Sequence, residues 1–505
     1  MRKLLIAAVA LAAVAMWGST TVQPSEASEP AAADVIVQAS AAPAASPSAT
    51  PSAAPSPMYQ YSAIAQGSYI AAGASQLSFG VPILGANSGF PSRLFDTRPN
   101  TFTFNQLNLQ ASKSSAGVIG WKIELWLGND ANAESSANYF QLVPQPGQLQ
   151  TANALCGLGP PSVKPNGPTL APWINFPPFN NTYKCLGNGA YYHVGGYDVP
   201  QFYVQYATPN GKWTLTAGRY FPLVGYEVTD SWNDAQFSRS ILFGFAEPGT
   251  HTGVRLAYAW SPHLTLTVGG NNGWDDIVGQ AGTLRSLESQ IAYTNGNLSA
   301  TAAYLWGPEY ASYGNGSGVP CNVTPTGQLT VPNTCGFQLS PALPAAIFPV
   351  VGPIGIRTLF DVQAAYKVFS TLQIGANFDA GSQSNTGPFV TPTSGAIWNG
   401  LASYIQYTFP NGKYGLSGRY EFFSDPQGYR TGTEFLFNPV TGTPNLRWYE
   451  ITGTGIINFS PNVALRGEYR MDYANQPVFT NSQSVNTGTL SRTQGTMSVD
   501  LVVKY

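Results

Sequence analysis

The sequence predicts an all-β protein, a closed antiparallel transmembrane β-barrel of about 16 strands with long external loops and short periplasmic turns. Three observations carry that prediction. Apolar and polar residues alternate with period two over segments of about ten residues, turn residues separate these segments, and charge is scarce for so long a chain.

Charged residues make up 10% of the 505 residues and aromatics 13%, with 53 glycines and 40 prolines. A soluble domain carries about 25% charged residues, because its whole outside meets water. A mean hydropathy near zero then implies apolar surface interleaved with polar surface rather than set apart in long runs. The net charge of -2 offers nothing to nucleic acid, which is not an expected partner.

The chain opens with Arg2 and Lys3, an apolar run over residues 4–17, and the small-x-small pattern Ser25-Glu26-Ala27. This is the layout of a cleaved secretory signal peptide, placed at residues 1–27, and the run is shorter than the ~20 residues a membrane helix needs. Residues 28–57 are almost wholly Ala, Pro and Ser and read as a disordered linker. From residue 58 to 505 the character is constant, which gives one barrel domain. The longest later apolar stretch, residues 339–356, is interrupted by Pro341, Pro344, Pro349 and Pro353 and reads as a loop.

The alternation is clearest in two places. Ile119, Trp121, Ile123, Leu125 and Leu127 face away from Gly120, Lys122, Glu124 and Trp126. Leu465, Gly467, Tyr469, Met471 and Tyr473 face away from Arg466, Glu468, Arg470 and Asp472. A soluble sandwich would show the same two faces. Sorting of short turns to one side and long excursions to the other favours the membrane barrel.

The identical tetrapeptides Pro209-Asn210-Gly211-Lys212 and Pro410-Asn411-Gly412-Lys413 are hairpin turns, within a weak echo of residues 206–220 in 407–420. Further turns fall at residues 114–117, 261–263, 295–297, 369–371 and 460–462. Seven turns join fourteen strands, and residues 59–73 and 491–505 supply the first and last. An even count places both ends on the periplasmic side, where they pair and leave no sheet edge in lipid. Tyr206, Trp213, Tyr258, Trp260, Tyr407 and Tyr414 lie near strand ends, where barrels carry aromatic girdles.

Four motif groups resemble the OmpL-like β-barrel porin family: Phe95-Asp96-Thr97-Arg98 to Asn100-Thr101-Phe102 with Asn105-Gln106; Gly218-Arg219-Tyr220 with Gly225-Tyr226-Glu227-Val228; Ser238-Arg239-Ser240 with Leu242-Phe243-Gly244; and His251 to Arg255, Asn272-Gly273-Trp274-Asp275 and Gly307-Pro308-Glu309. The resemblance covers residues 60–310 and is looser beyond. It implies a porin of the bacterial outer membrane, with lipid outside and small polar solutes or ions inside. The chain departs from the family in two Pro-rich, Cys-bearing inserts, residues 129–197 and 310–356, which leaves substrate preference open.

A barrel of about 16 strands is wide enough for an aqueous channel. Alternation then assigns Lys122, Glu124, Arg255, Glu288, Asp361, Asp379, Arg419, Glu421, Glu450, Arg466, Glu468, Arg470, Asp472, Asp500 and Lys504 to the pore lining, six basic against nine acidic. Such a mixed lining implies weak selectivity, leaning to cations. Residues 223–249 occupy the third external position, where general porins fold a loop inward. Glu227, Asp230, Asp234 and Arg239 are the constriction candidates.

Cys156, Cys185, Cys321 and Cys335 form an even set in an exported chain, and disulfides among them are expected to staple the two inserts, with three pairings open. His193, His251 and His263 are the only imidazoles, none placed to activate a nucleophile, so no enzyme and no catalytic residue is expected. Residues 129–134 lack the glycine and distal Glu of a calcium loop, and Gly314, Gly316 and Gly318 precede no helix; neither a metal nor a cofactor is expected. Porins of this size are often homotrimers, but no trimer face stands out. The alternative to general diffusion is a substrate-specific channel, for a sugar for instance, or a surface-exposed binding barrel.

Overall fold

Sixteen strands close on themselves in the computed structural model, which describes residues 59–72, 92–96, 100–114, 116–131, 174–176, 181–185, 191–193, 197–275, 285–310, 354–384, 395–431, 445–479 and 491–505. In chain order they are β1 (Tyr59–Ala72), β2 (Phe102–Lys113) and β3 (Ile119–Leu127), then, after a small sheet, β7 (Tyr197–Ala207), β8 (Trp213–Tyr220), β9 (His251–Ser261) and β10 (Leu264–Asn271). There follow β11 (Ser286–Asn295), β12 (Leu298–Tyr310), β13 (Ile354–Phe369), β14 (Leu372–Gln383), β15 (Ala396–Thr408), β16 (Tyr414–Asp425), β17 (Leu446–Ser460), β18 (Val463–Ala474) and β19 (Thr493–Lys504). The small sheet, β4 (Ile174–Phe176), β5 (Asn181–Cys185) and β6 (Tyr191–His193), is separate from the barrel.

The signal peptide and linker expected at 1–57 lie outside the described residues, as do Cys156, Cys321 and Cys335. Cys185 ends β5, and no disulfide is found among the described residues. Two boundaries differ from the sequence reading. The insert over 129–197 contains three short strands, and the proline-broken stretch ends inside β13, whose first residues are Ile354 to Ile356. A strand needs only alternation, so the prolines stop short of where pairing begins.

All seven expected turns join neighbouring antiparallel strands. At the repeated tetrapeptide Gly211 and Gly412 have φ of 66°, the left-handed conformation that glycine enters without a Cβ clash. Asn210 and Asn411 accept from the backbone N–H of Lys212 and Lys413. The seam joins β1 to β19 with Ile64 opposite Lys504, and Ala63 and Tyr505 exchange both backbone hydrogen bonds, at 3.1 and 2.8 Å. Each strand thus has a partner on both sides, and no row of N–H and C=O groups is left open to hydrocarbon.

The two faces separate as alternation requires. On β18 Ala464, Arg466, Glu468, Arg470 and Asp472 are buried inward, while Tyr469, Met471 and Tyr473 are exposed outward. The outside is a belt of Ile, Leu, Val and aromatic residues. Rings gather at its two rims: Trp213 on Tyr258 (centroids 4.3 Å) and Tyr407 on Phe409 near the short turns, Tyr69 on Phe102 and Tyr449 on Tyr473 at the other end. Amphipathic rings at both rims of an apolar belt suit the two interfaces of a bilayer.

Candidate functional site

The connection between β8 and β9, residues 221–250, runs inside the barrel. Its local structure explains why it can. Trp232, Phe237, Ile241, Leu242, Phe245 and Ala246 supply an apolar side, Trp232 packing with Ile64 and Val502, Phe237 with Ile70, and the rest with Trp398, Phe423, Trp448 and other buried wall residues. A 3-10 turn at Ser231–Asn233 and a π-helical turn at Leu242–Ala246 satisfy only part of its backbone. The rest must find partners elsewhere, because a buried unpaired N–H or C=O costs roughly 1–3 kcal/mol.

Wall side chains provide those partners. Arg466 Nη1 donates to the carbonyls of Ser231, Asp234 and Gln236 at 2.9, 2.8 and 3.1 Å. Arg419 Nη1 donates to Ser238 O at 2.7 Å and Arg470 Nη1 to Arg239 O at 2.6 Å. Glu468 accepts from the N–H of Phe237 and Ser238, and Glu421 from Ile241 and Leu242. Gln290 reaches Leu223 O, Arg255 reaches Phe221 O, Trp398 Nε1 reaches Ala246 O and Arg430 reaches Phe245 O. The wall therefore takes the place of a neighbouring strand, reading main chain with guanidinium donors and carboxylate acceptors.

This changes the environment of most residues assigned to the lining. Asp361, Asp379, Glu421, Arg470 and Asp472 are 0% exposed, and Glu450, Arg466 and Asp500 only 1%. They point inward but meet the segment and one another instead of open water. Ion pairs tie them together: Arg419 to Glu227 and Glu450 at 2.6 and 2.7 Å, Arg466 to Asp500 at 2.8 Å, Arg470 to Asp472 at 2.7 Å, and Arg255 to Glu288 at 3.0 Å. Lys122 pairs with Glu124 at 3.2 Å and keeps partial exposure, as does Lys504. A small cleft opens between Glu227, Asp234 and Gln236 of the segment and Gln373, Gln406 and Ser417 of the wall, on the side of the short turns.

The four constriction candidates all lie inside the barrel and are buried. Glu227 pairs with Arg419 and accepts from Ser240 N at 2.7 Å. Arg239 pairs with Asp130 at 3.2 Å and lies over the Phe95 ring at 4.0 Å. Asp230 accepts from Asn108 at 3.2 Å, and burial together with the charge of Glu124 pushes its carboxyl well above the usual range. Asp234 accepts from Val228 N at 3.2 Å and is pushed the same way by burial and by Glu227.

The signature motifs converge on the same segment. Arg219 forks onto Asp198 at 2.8 and 3.1 Å, and Tyr220 donates to Glu288. His251 meets Glu288 at 2.9 Å, Asp275 accepts from Gly249 N at 2.6 Å, and Glu309 accepts from Trp274 N at 2.7 Å. His263 sits in a short turn against Thr294 O, and His193 ends β6.

Sequence reasoning missed several parts. Trp398 and Trp448 are buried inward, as is Trp126, which alternation places on the same face as Lys122 and Glu124. Arg93, against Asp472 and Thr496, and Arg430, which reaches Phe245 O, lie outside the strands, where alternation assigns nothing. Glu247 carried no signal except its place directly after the apolar Phe245-Ala246 pair. It meets Asp361 and Asp379 across the interior, within 4.8 Å.

The family model described as "Putative beta-barrel porin-2, OmpL-like" matches residues 182–505. The match takes in the motifs from Gly218 to Glu309 and continues to the last residue, past the point where the resemblance read from the sequence loosens. The motif at residues 95–106 lies outside it. No curated protein matches the chain.

Among solved structures, the outer membrane channel DcaP of Acinetobacter baumannii is similar with a TM-score of 0.47 at 11% identity, over 88% of this chain and 97% of that one. An anion-selective porin from Comamonas acidovorans has a TM-score of 0.47 at 10% identity, over 88% and 99% of the two chains. Salmonella typhi OmpF, in a complex with daunomycin, has a TM-score of 0.46 at 10% identity, over 88% and 97%.

Proposed function

The chain belongs to the OmpL-like family of β-barrel porins, a porin-like channel of the outer membrane, and from that premise we propose that it conducts small polar solutes and ions by passive diffusion, past residues 221–250. The observation that carries this reading is a barrel apolar outside and ionic inside, whose inserted segment is held by hydrogen bonds rather than covalently. Charge on both the wall and the segment lowers the barrier to polar solutes, and the width left beside the segment sets what passes.

Lys122, Glu124 and the charged residues assigned by alternation act in this reading as the framework of the passage. Glu227, Asp230, Asp234 and Arg239 act as its moving side. Burial of these charges at the level of the segment favours a second reading, a substrate-specific channel that opens when its own solute displaces the segment.

Reconstitution in a planar bilayer with a panel of salts and sugars tests both. General diffusion gives steady, ohmic current that scales with salt. Saturable block by one solute class points to the specific channel, and a refolded barrel without current overturns both. Shortening 222–248 to a brief linker is expected to raise single-channel conductance several-fold.

A further inference from the structure

Near the C-terminal end of the segment, just past Phe245, whose carbonyl Arg430 holds, three carboxylates meet. Asp361 on β13 and Asp379 on β14 stand directly opposite each other in register, both inward and fully buried. Glu247 arrives from the segment immediately after the π-helical turn. One oxygen from each lies within 4.8 Å of the others, and none of the three takes part in an ion pair among the described residues. Like charges directly opposite on paired strands repel, and burial removes the water that would screen them.

A second observation marks the place as built for a ligand. Asp361 Oδ1, Asp379 Oδ1 and Asn377 Oδ1 are all buried without a hydrogen-bond partner. Asn377, 1% exposed, belongs to the cluster, since its amide nitrogen lies 3.2 Å from Asp379 Oδ2 and 3.5 Å from Glu247 Oε1. Turning that amide over exchanges nitrogen for oxygen and aims a fourth oxygen donor at the same point. Gly225 completes the shape: with φ of 95° it comes so close that a Cβ there would sit 2.1 Å from Glu247 Oε2.

Oxygen donors with net negative charge, and no ion-paired cation among the described residues, call for a hard divalent ion. Calcium takes carboxylate and amide oxygens at about 2.3–2.6 Å and tolerates mixed carboxylate geometry that magnesium does not. We propose that Glu247, Asp361 and Asp379, with the side-chain oxygen of Asn377, form a calcium site that clasps the C-terminal end of the inserted segment to β13 and β14. Burial and the charge of Asp361 already push Glu247 well above the usual carboxylate range, which is the state a cation would relieve.

Calcium binding is read without any current, so the inference stands apart from the channel reading. The full chain, refolded in detergent and stripped with chelator, is titrated with calcium chloride by calorimetry, and hydrogen exchange of residues 242–250 is followed with and without the ion. One calcium per barrel is expected, with slowed exchange in that stretch. The Asp361→Asn/Asp379→Asn variant is expected to lose this equivalent, and Glu247→Gln, which leaves the wall untouched, to bind at least tenfold more weakly. No binding by the stripped wild type up to millimolar calcium overturns the proposal. Equal affinity and stoichiometry in Glu247→Gln overturns it as well.

Discussion

Arg466 and Asp500 stand directly opposite one another on β18 and β19, joined by hydrogen bonds of 2.9 and 2.8 Å, and the spare nitrogen of that guanidinium holds three carbonyls of the inserted segment. One side chain thus fixes a strand pair and a loop together. Arg466→Ala is expected to leave Asp500 as an uncompensated buried charge and to orphan those carbonyls, a loss of about 3–5 kcal/mol. Guanidinium unfolding of the refolded barrel measures it. Arg466→Lys keeps the charge without the fork and should recover only part.

The segment should sit most firmly in acid when divalent ions are absent. Asp230, Asp234 and Glu247 are all held above their ordinary range, chiefly by burial, and Asp96, beside Arg239 and Asp130, is raised to about 7 by burial and Asp130 against the pull of Arg239. Lys122, Arg239, Arg466, Glu124 and Glu227 face Asp230 and Asp234, Asp361, Asp379, Glu227 and Glu421 face Glu247, and Arg239, Asp130, Arg93 and Glu468 surround Asp96. Between the ordinary carboxylate pKa of about 4 and these raised values the folded state binds more protons than the unfolded chain, so stability falls as pH climbs through that interval. Hydrogen exchange of residues 226–247 at pH 5 and pH 8 should show faster exchange at the higher pH, beyond the intrinsic chemical rate.

Lipid contact can be tested at Leu401, outward and half-exposed near the middle of β15, beside Ala402, which is buried inward. Leu401→Arg is expected to destabilise the barrel in bilayers by about 2–4 kcal/mol. The same variant in a soluble protein would change little, so unfolding in liposomes discriminates.

Gly225→Ala should disturb the segment without touching a strand. The added Cβ is strained at a φ of 95° and meets Glu247 Oε2 at 2.1 Å. Displacement of Glu247 is expected, with tenfold or greater weakening of calcium binding, read by calorimetry on a barrel whose far-ultraviolet spectrum is unchanged.

The barrel itself was legible in the sequence because its rule is local. Period two says which side chains face lipid, and Asn-Gly says where a hairpin turns, as at Gly211 and Gly412. The interior was legible only by parity. Alternation turns Arg419, Arg466 and Arg470 inward, but parity is identical whether water or another stretch of chain occupies the middle. Only long-range placement reveals that Ser231 to Leu242 takes up their hydrogen bonds. The same limit hid Asp361 and Asp379 as a pair, since opposing them requires the register of β13 and β14, and it hid Glu247, which arrives from a distant connection. Tryptophans at inward positions were the one available hint that the middle is not all wet.

The wall grips carbonyl oxygens and amide hydrogens of the segment more than its side chains, and those atoms are common to every residue except proline's missing hydrogen. Such a frame is indifferent to the letters threaded through it. A half-buried position of the segment such as Asn233 can therefore be rewritten while the scaffold that seats it stays as it is.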